Sequence, residues 1–207
     1  MKVALINFAM GNLASVRRGL EDLGVDVIIA NTPDALLHVD KIVLPGVGAF
    51  YQGMANLHAG GWLPALNEAV IEQRIPILGI CLGMQMLASH GEEGGSTTGL
   101  GFIPGRVKNL DHLGCKLRLP HIGWNDISYP AASVIFDDIQ SGTDFYFVHS
   151  YAFVPEQEAF ISAYVSYDVK VVAAIQNEHI FGCQFHPEKS SRAGRKVLQN
   201  FLNYTHA

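Results

Sequence analysis

Cysteine is scarce in this chain of 207 residues, and the three cysteines, Cys81, Cys115 and Cys183, have no Cys-x-x-Cys spacing. An odd number of cysteines without close pairs argues against a disulfide framework and against a zinc site. We therefore expect no metal site and no cofactor.

The chain also lacks an excess of basic residues and any long apolar run. Charged residues make up 16% of the sequence, the formal net charge is -5, and the isoelectric point is near 5.9. Such a chain has no general basic field for nucleic acid or for an anionic membrane. No apolar run reaches the roughly 18 residues of a membrane span, and no small-residue cleavage site follows the N-terminus. We expect a soluble, cytoplasmic protein with neither a nucleic-acid nor a membrane partner.

Hydrophobic residues are abundant, at 49% of the sequence, which favours one well-buried domain over residues 1–207. In the first part of the chain, strand-like runs alternate with helical patterns, which predicts a doubly wound, mostly parallel α/β sheet flanked by helices. Strands are predicted at residues 3–6, 25–30, 41–44 and 77–80, and helices between Asn12 and Gly24 and at residues 62–73.

The second part of the chain has a different pattern. Residues 91–105 are rich in glycine and predict a loop, and a final helix is predicted at residues 191–202. Between them, short alternating runs favour an additional antiparallel or mixed portion of sheet. These strands are predicted at residues 106–119, 124–128, 145–148, 160–165, 171–175 and 180–185.

Three residues that follow predicted strands, Asn7, Pro45 and Cys81, are expected to share one crevice, because ligands of α/β sheets bind at the carboxyl ends of the strands. Cys81 lies on a turn into a helix that starts near residue 84, and Gly79 and Gly83 remove side chains that would clash there. A helix N-terminus favours a thiolate. The alternative interpretation is a small buried cysteine in a βα unit.

A base with its own carboxylate is predicted in the sequence His186-Pro187-Glu188, at the end of a strand. Proline holds the preceding residue extended, so His186 and Glu188 are separated by one rigid residue. A histidine near a thiol can take its proton and later return it to a leaving amine, while the carboxylate fixes the tautomer. Among nine histidines, the alternative is a surface or capping residue.

Two backbone amides are candidates for an oxyanion hole. Leu82 follows the cysteine at the start of the helix, and Val47 lies between Gly46 and Gly48, which allow its peptide to turn toward the crevice. A plain glycine turn after a strand explains Gly46 and Gly48 equally well.

These segments, in this chain order, resemble the class I glutamine amidotransferases, whose nucleophile is a cysteine in a Cys-His-Glu triad. Within that family, the chain most resembles the glutaminase subunits of imidazole glycerol phosphate synthase. One departure is Asn7-Phe8, where the family usually has Asp-Tyr or a similar pair. The segments that carry the resemblance are residues 11–13, 44–50, 79–85, 99–105, 120–125, 147–151 and 186–190.

The resemblance implies hydrolysis of L-glutamine to glutamate and ammonia through a thioester on Cys81. His186 would be the general base and acid, and Glu188 would orient it. The oxyanion amides would come from Val47 and Leu82. The glutamine site would be lined by Gly46, Gln85, Ser150 and Tyr151, and contacts to a partner would come from His121, Trp124, Asn125 and Lys189.

A partner is expected because ammonia loses its nucleophilicity when it is protonated in water, and the chain has no phosphate-binding Gly-x-x-x-x-Gly-Lys-Ser/Thr loop for an acceptor. By the resemblance, the partner is a cyclase subunit with a (β/α)8 barrel, in a heterodimer that makes imidazole glycerol phosphate in histidine biosynthesis. Three alternatives stay open: a glutaminase for another synthase, a stand-alone cysteine hydrolase, and a non-catalytic regulatory subunit.

Overall fold

The computed structural model describes residues 1–130 and 133–205, which form two sheets and five α-helices. In chain order the strands are β1 (Lys2–Ile6), β2 (Asp26–Ala30), β3 (Lys41–Gly46), β4 (Ile77–Cys81), β5 (His90–Gly91), β6 (Thr97–Thr98), β7 (Gly105–Asn109), β8 (His121–Ser128), β9 (Thr143–His149), β10 (Tyr151–Pro155), β11 (Ile161–Tyr167), β12 (Val169–Asn177) and β13 (Ile180–Cys183). The helices are α1 (Leu13–Glu21), α2 (Phe50–Ala59), α3 (Trp62–Asn67), α4 (Leu82–Met86) and α5 (Ser191–Asn203).

The larger sheet has nine strands in the order β2-β1-β3-β4-β13-β12-β11-β8-β9. The strands from β2 to β13 pair parallel, and those from β13 to β9 pair antiparallel. A second sheet of four strands has the order β10-β7-β5-β6. The predicted doubly wound sheet with an additional antiparallel or mixed portion is therefore confirmed.

Helices cover both faces of the parallel strands, so successive residues of each strand enter different cores. In β1, Val3 and Leu5 join the core that contains α1 and α5, whereas Ala4 and Ile6 join the core that contains α2 and α3. A strand buried on both faces has no polar side, which explains the continuous apolar runs of the sequence.

Helix α2 is absent from the sequence prediction, and its N-terminus explains why. The residue before it, Ala49, has no side chain that can cap a helix; instead the amide of Phe50 donates to a carboxylate oxygen of Glu93 at 2.7 Å. A cap that comes from 43 positions away leaves no local signal.

Two other predicted boundaries are wrong. The strand predicted at residues 106–119 ends at Asn109, because a single 3₁₀ turn follows at Asp111–Leu113 and Gly114 has a φ of +97°. The helix predicted to start near Met84 is α4, which begins directly after Cys81. The last helix and the helix capped by Asn12 lie where they were predicted, and Asn12 accepts from the amide of Ser15.

The carboxyl ends of the parallel strands meet at one edge of the sheet, but of Asn7, Pro45 and Cys81, which were expected to share a crevice, only Cys81 lines a cavity. Gly46 at the end of β3 pairs directly with Cys81 at the end of β4. At the end of β1, the side-chain amide of Asn7 donates to Asn31 at 2.8 Å, and its carbonyl accepts from the amide of Ala9. Among the described residues, none of the helices combines the length and the apolar character that crossing a membrane requires.

Candidate active site

Cys81 has a backbone conformation that L-residues rarely adopt, with φ +53° and ψ -107°. Such strain is typical of a nucleophile on a sharp turn between a strand and a helix. The flanking glycines make this turn possible. A Cβ at Gly83 would lie 1.7 Å from the carbonyl oxygen of Leu44, and a Cβ at Gly79 would lie 2.7 Å from the carbonyl group of Gly83.

His186 and Glu188 form a buried pair beside Cys81. Nδ1 of His186 lies 2.8 Å from Oε1 of Glu188, and the two side chains are only 3% and 1% exposed. His186 is extended, with φ -99°, and Pro187 opens a short 3₁₀ turn that places the carboxylate beside the ring. The hydroxyl of Ser190 donates to the His186 carbonyl at 2.7 Å and so fixes the backbone.

The surroundings of His186 favour its charged form. Burial opposes the charge, but hydrogen bonding and charge interactions with Cys81 and Glu188 outweigh it and raise the pKa of His186 to about 9. The Nε2 atom has no well-oriented hydrogen bond. The ring is therefore an imidazolium at neutral pH, with a proton available on the side of the Cys81 sulfur.

The sulfur of Cys81 has two further polar neighbours. The side-chain amide of Gln184 donates to it at 3.7 Å, and the carbonyl oxygen of Val148 lies 3.8 Å away. Gln184 is fully buried, and the sequence analysis did not select it. The sequence does contain a signal for Gln184. It is a glutamine within an otherwise apolar strand sequence, and a buried amide needs hydrogen-bond partners.

A cavity of about 440 Å³ opens in front of Cys81. Its lining includes five residues of the predicted site, Val47, Leu82, Gln85, Ser150 and Tyr151. Gly46 does not line the cavity. It lies at the end of β3, where it pairs with Cys81 of β4. Residues that the sequence analysis did not select also line the cavity, namely Gly48, Ala49, Glu93, Pro120, Val148 and His149.

Gln85 is held in place by both hydrogens of its amide. They are donated to the carbonyl oxygen of Tyr151 at 3.0 Å and to the side chain of Gln184 at 3.1 Å. Only the side-chain oxygen of Gln85 is left to accept a hydrogen bond from a ligand. Glu93 is the one carboxylate in the cavity lining, and its Oε2 already accepts from the amide of Phe50.

The four predicted partner contacts fall into two classes. Trp124 is 53% exposed on β8, Asn125 is half-buried beside it, and Lys189 is exposed, with its nitrogen 5.7 Å from the centre of the Tyr146 ring. His121, in contrast, is only 2% exposed. Its side chain points into the protein, so its assignment as a direct partner contact is wrong.

Cys183 is fully buried and packs in the core. Burial raises the pKa of its thiol well above the ordinary value, and the charges of Glu188 and Cys81 act in the same direction. This thiol stays protonated and does not compete as a nucleophile.

The comparisons with known proteins agree with this geometry. The model of the family "Glutamine amidotransferase class-I" matches residues 4–204. The imidazole glycerol phosphate synthase subunit HisH of Moorella thermoacetica is 45% identical over 199 residues, which are 96% of this chain and 93% of that one. Subunit HisH of Pelagibacter ubique is 40% identical over 207 residues, with 98% and 100% covered.

Solved structures share the fold at low sequence identity. The structure of PurLQS from Thermotoga maritima superposes with a TM-score of 0.72 at 19% identity, with 98% of each chain covered. A glutamine amidotransferase from the same organism gives a TM-score of 0.66 at 19% identity, covering 98% of this chain and 83% of that one. The chain belongs to the class I glutamine amidotransferases and, within them, to the family of the imidazole glycerol phosphate synthase subunit HisH.

Proposed function

We propose that the protein hydrolyses L-glutamine to glutamate and ammonia as the glutaminase subunit of imidazole glycerol phosphate synthase. The observation that carries this proposal is the buried His186–Glu188 pair beside Cys81, which lines a cavity of about 440 Å³. A nucleophile, a proton carrier and an orienting carboxylate are what hydrolysis through a covalent intermediate requires.

In the first half of the reaction, the Cys81 sulfur attacks the carboxamide carbon of glutamine, and a carbon–sulfur bond forms. The carbon–nitrogen bond then breaks as Nε2 of His186 gives its proton to the leaving nitrogen, which departs as ammonia. In the second half, His186 takes a proton from water, whose oxygen attacks the thioester. The carbon–sulfur bond breaks, glutamate is released, and His186 again carries the proton for the next cycle.

The negative oxygen of each tetrahedral intermediate needs hydrogen-bond donors. The amide of Leu82 follows the nucleophile at the start of α4, and Val47 offers the second amide from the opposite wall of the cavity. Val47 is 42% exposed, and the next residue, Gly48, has a φ of +106°. A peptide between glycines at the surface can rotate at low cost, so we propose that it reaches the donating orientation only when the partner is bound.

The cavity also offers groups for the amino acid end of glutamine. Glu93 is an anionic partner for the α-ammonium group, and the side-chain oxygen of Gln85 can accept from the same group. Ser150 and Tyr151, at the corner between β9 and β10, line the facing wall. This arrangement favours a free α-amino acid over a simple amide.

The partner that we propose is the cyclase subunit with its (β/α)8 barrel, bound as a heterodimer in the cytoplasm. Two large apolar side chains are exposed side by side on one face of β8: Ile122 is 59% exposed and Trp124 is 53% exposed. Lys189 is exposed nearby and offers a polar contact, and Asn125, next to Trp124 in β8, is half-buried. Apolar residues surrounded by polar ones are typical of protein interfaces, and a closed interface keeps ammonia from being protonated by water.

Glutamine hydrolysis by the wild type and by Cys81→Ala, each with and without the cyclase, tests the proposal. We expect glutamate release by the wild-type complex and none above background by Cys81→Ala. Cys115→Ala is the matched control, because it removes another buried cysteine that lies outside the cavity. Activity retained in Cys81→Ala, or full turnover by the isolated wild-type chain, would contradict the nucleophile or the requirement for a partner, respectively.

A further inference from the structure

A series of hydrogen bonds connects strand β8 to the cavity. The proposed reaction does not use these bonds. On β8, the amide nitrogen of Asn125 lies 3.5 Å from Nε2 of His121. Nδ1 of His121 lies 3.1 Å from Nε2 of His149, and Nδ1 of His149 lies 2.8 Å from the carbonyl oxygen of Tyr151. His149 lines the cavity, so the series reaches the proposed substrate site.

The last acceptor fixes the direction of every bond in this series. A carbonyl oxygen only accepts, so the hydrogen of His149 is on Nδ1. Burial lowers the pKa of His149 to about 3 and that of His121 to about 4, so both rings are neutral. Nε2 of His149 therefore accepts from Nδ1 of His121, whose own Nε2 accepts from Asn125. The donors point inward from the surface to Tyr151.

From Tyr151 the connection continues to the nucleophile. The carbonyl oxygen of Tyr151 also accepts from Gln85, which donates its second hydrogen to Gln184. Gln184 donates to the sulfur of Cys81 at 3.7 Å. Within the described residues, the polar groups from β8 to Cys81 thus form one continuous network.

The ring of His121 is fixed by its neighbours on both sides. It stacks on Phe147 with ring centres 4.9 Å apart and on Tyr167 with ring centres 4.0 Å apart, at interplanar angles of 17° and 20°. His121 and His149 are also direct partners in the pairing of β8 with β9. A displacement of β8 would therefore be transmitted to the ring of His149 instead of being absorbed by a change of rotamer.

We propose that His121 and His149 are positioning residues, which hold the Tyr151 carbonyl and the Gln85–Gln184 pair in the arrangement that orients the Cys81 sulfur. Because the network begins at Asn125, which directly follows the exposed Trp124 in β8, it also transmits the docking of a partner to the nucleophile. This inference rests on the proposed function and assigns a regulatory path to the same site.

The first test uses His121→Phe, which keeps a flat ring between Phe147 and Tyr167 but removes both hydrogen bonds. In the complex with the cyclase, we expect kcat for glutamine to fall about tenfold, while KM changes less than about threefold. Tyr167→Phe is the matched control, because it keeps the stacking and removes only a hydroxyl that donates to the Arg118 carbonyl. A wild-type kcat in His121→Phe, or an equal loss in Tyr167→Phe, would overturn the proposal.

The second test does not depend on whether a variant folds. In the wild-type chain with ¹⁵N-labelled histidine, NMR at pH 7 measures the protonation of each ring nitrogen. We expect His121 and His149 to be neutral with the hydrogen on Nδ1, and His186 to be protonated on both nitrogens. Either of the first two rings with its hydrogen on Nε2, or charged, would overturn the network. An inactive wild-type complex would refute the proposed function, and this measurement would then decide the network separately.

Discussion

Two groups of buried histidines have opposite charge states at neutral pH: His186, which lies beside Cys81 and Glu188, and the pair of His121 with His149, of which His149 lines the cavity. Burial opposes the charged form of both His186 and His149. The pKa of His186 is nevertheless raised to about 9, whereas that of His149 is lowered to about 3. The difference comes from their partners. His186 faces the carboxylate of Glu188, whereas His149 faces a backbone carbonyl and the neutral ring of His121.

Burial alone therefore does not decide the charge of a histidine. Hydrogen bonds and charge interactions with Cys81 and with Glu188, whose carboxylate lies 2.8 Å from the ring, keep the buried ring of His186 charged. Without such partners, the ring of His149 stays neutral and serves as a hydrogen-bond connection. The positive charge of His186 also lowers the pKa of His149 and so favours the neutral form of that ring.

The strongest test of this difference replaces one histidine from each group by asparagine. We expect His186→Asn to lower kcat in the complex by at least about 10³-fold, because it removes the group that carries the proton. His149→Asn keeps a donor for the Tyr151 carbonyl and should cost only about tenfold. Steady-state glutaminase assays measure both. Equal losses would show that the two groups do not have different roles.

A second test removes the carboxylate that distinguishes the groups. Glu188→Gln keeps the shape of the side chain but removes its charge, so the pKa of His186 should fall. We expect kcat to fall about 10- to 100-fold, and the alkaline limb of the pH–rate profile to move to lower pH. An alkaline limb at the wild-type position would mean that Glu188 does not set the charge of His186.

A third test cuts the link between the groups at Gln184. Gln184→Met keeps the length of the side chain but removes the amide that donates to the Cys81 sulfur and the oxygen that accepts from Gln85. We expect kcat to fall about tenfold, because one buried hydrogen bond to the nucleophile is lost. Gln176→Met on the neighbouring strand β12 is the control for the change of residue type, and a loss of the same size there would argue against a specific role.

A fourth test compares the two groups through the dependence of stability on pH. For His186 the folded state holds more protons than the unfolded state between about pH 6.5 and 9, so its stabilisation is lost as pH rises through about 9. For His121 and His149 the unfolded state holds more protons, so their stabilisation is lost as pH falls from about 6.5 through about 4 and 3. Urea unfolding at pH 5, 7 and 9 measures both slopes.

Variants assign these two slopes to the two groups. His186→Asn should flatten the loss of stability on the alkaline side, and His121→Phe should flatten it on the acid side. If His186→Asn changed the acid side instead, the protonation states that we assign to the two groups would be reversed.

Much of the site was predictable, because the backbone conformation of its residues is set by neighbouring residues in the sequence. Glycines two residues before and after Cys81 indicate a sharp turn, and the structure places Cys81 at φ +53° between β4 and α4. The proline between His186 and Glu188 fixes their separation, and their side chains meet at 2.8 Å. Such short spacings depend on the backbone of a few residues, so the sequence contains the information.

The residues that were not predicted act over long distances. Glu93 caps α2 from a loop 43 positions away, and Gln184 meets Cys81 across 103 positions. His121 was expected to contact a partner from the resemblance alone, and no local pattern in the sequence shows that its side chain is buried. Only the packing of Phe147 and Tyr167 against its ring decides that it is buried.

The sequence by itself determined the alternation of strands and helices, the turn at Cys81 and the spacing of His186 and Glu188, because these follow from local conformational preferences. The tertiary structure alone decided the charge of each buried histidine and the hydrogen-bond path from β8 to the sulfur. The physical reason is that the pKa of a ring and the direction of its hydrogen bonds depend on groups that only the folded chain brings within a few ångströms.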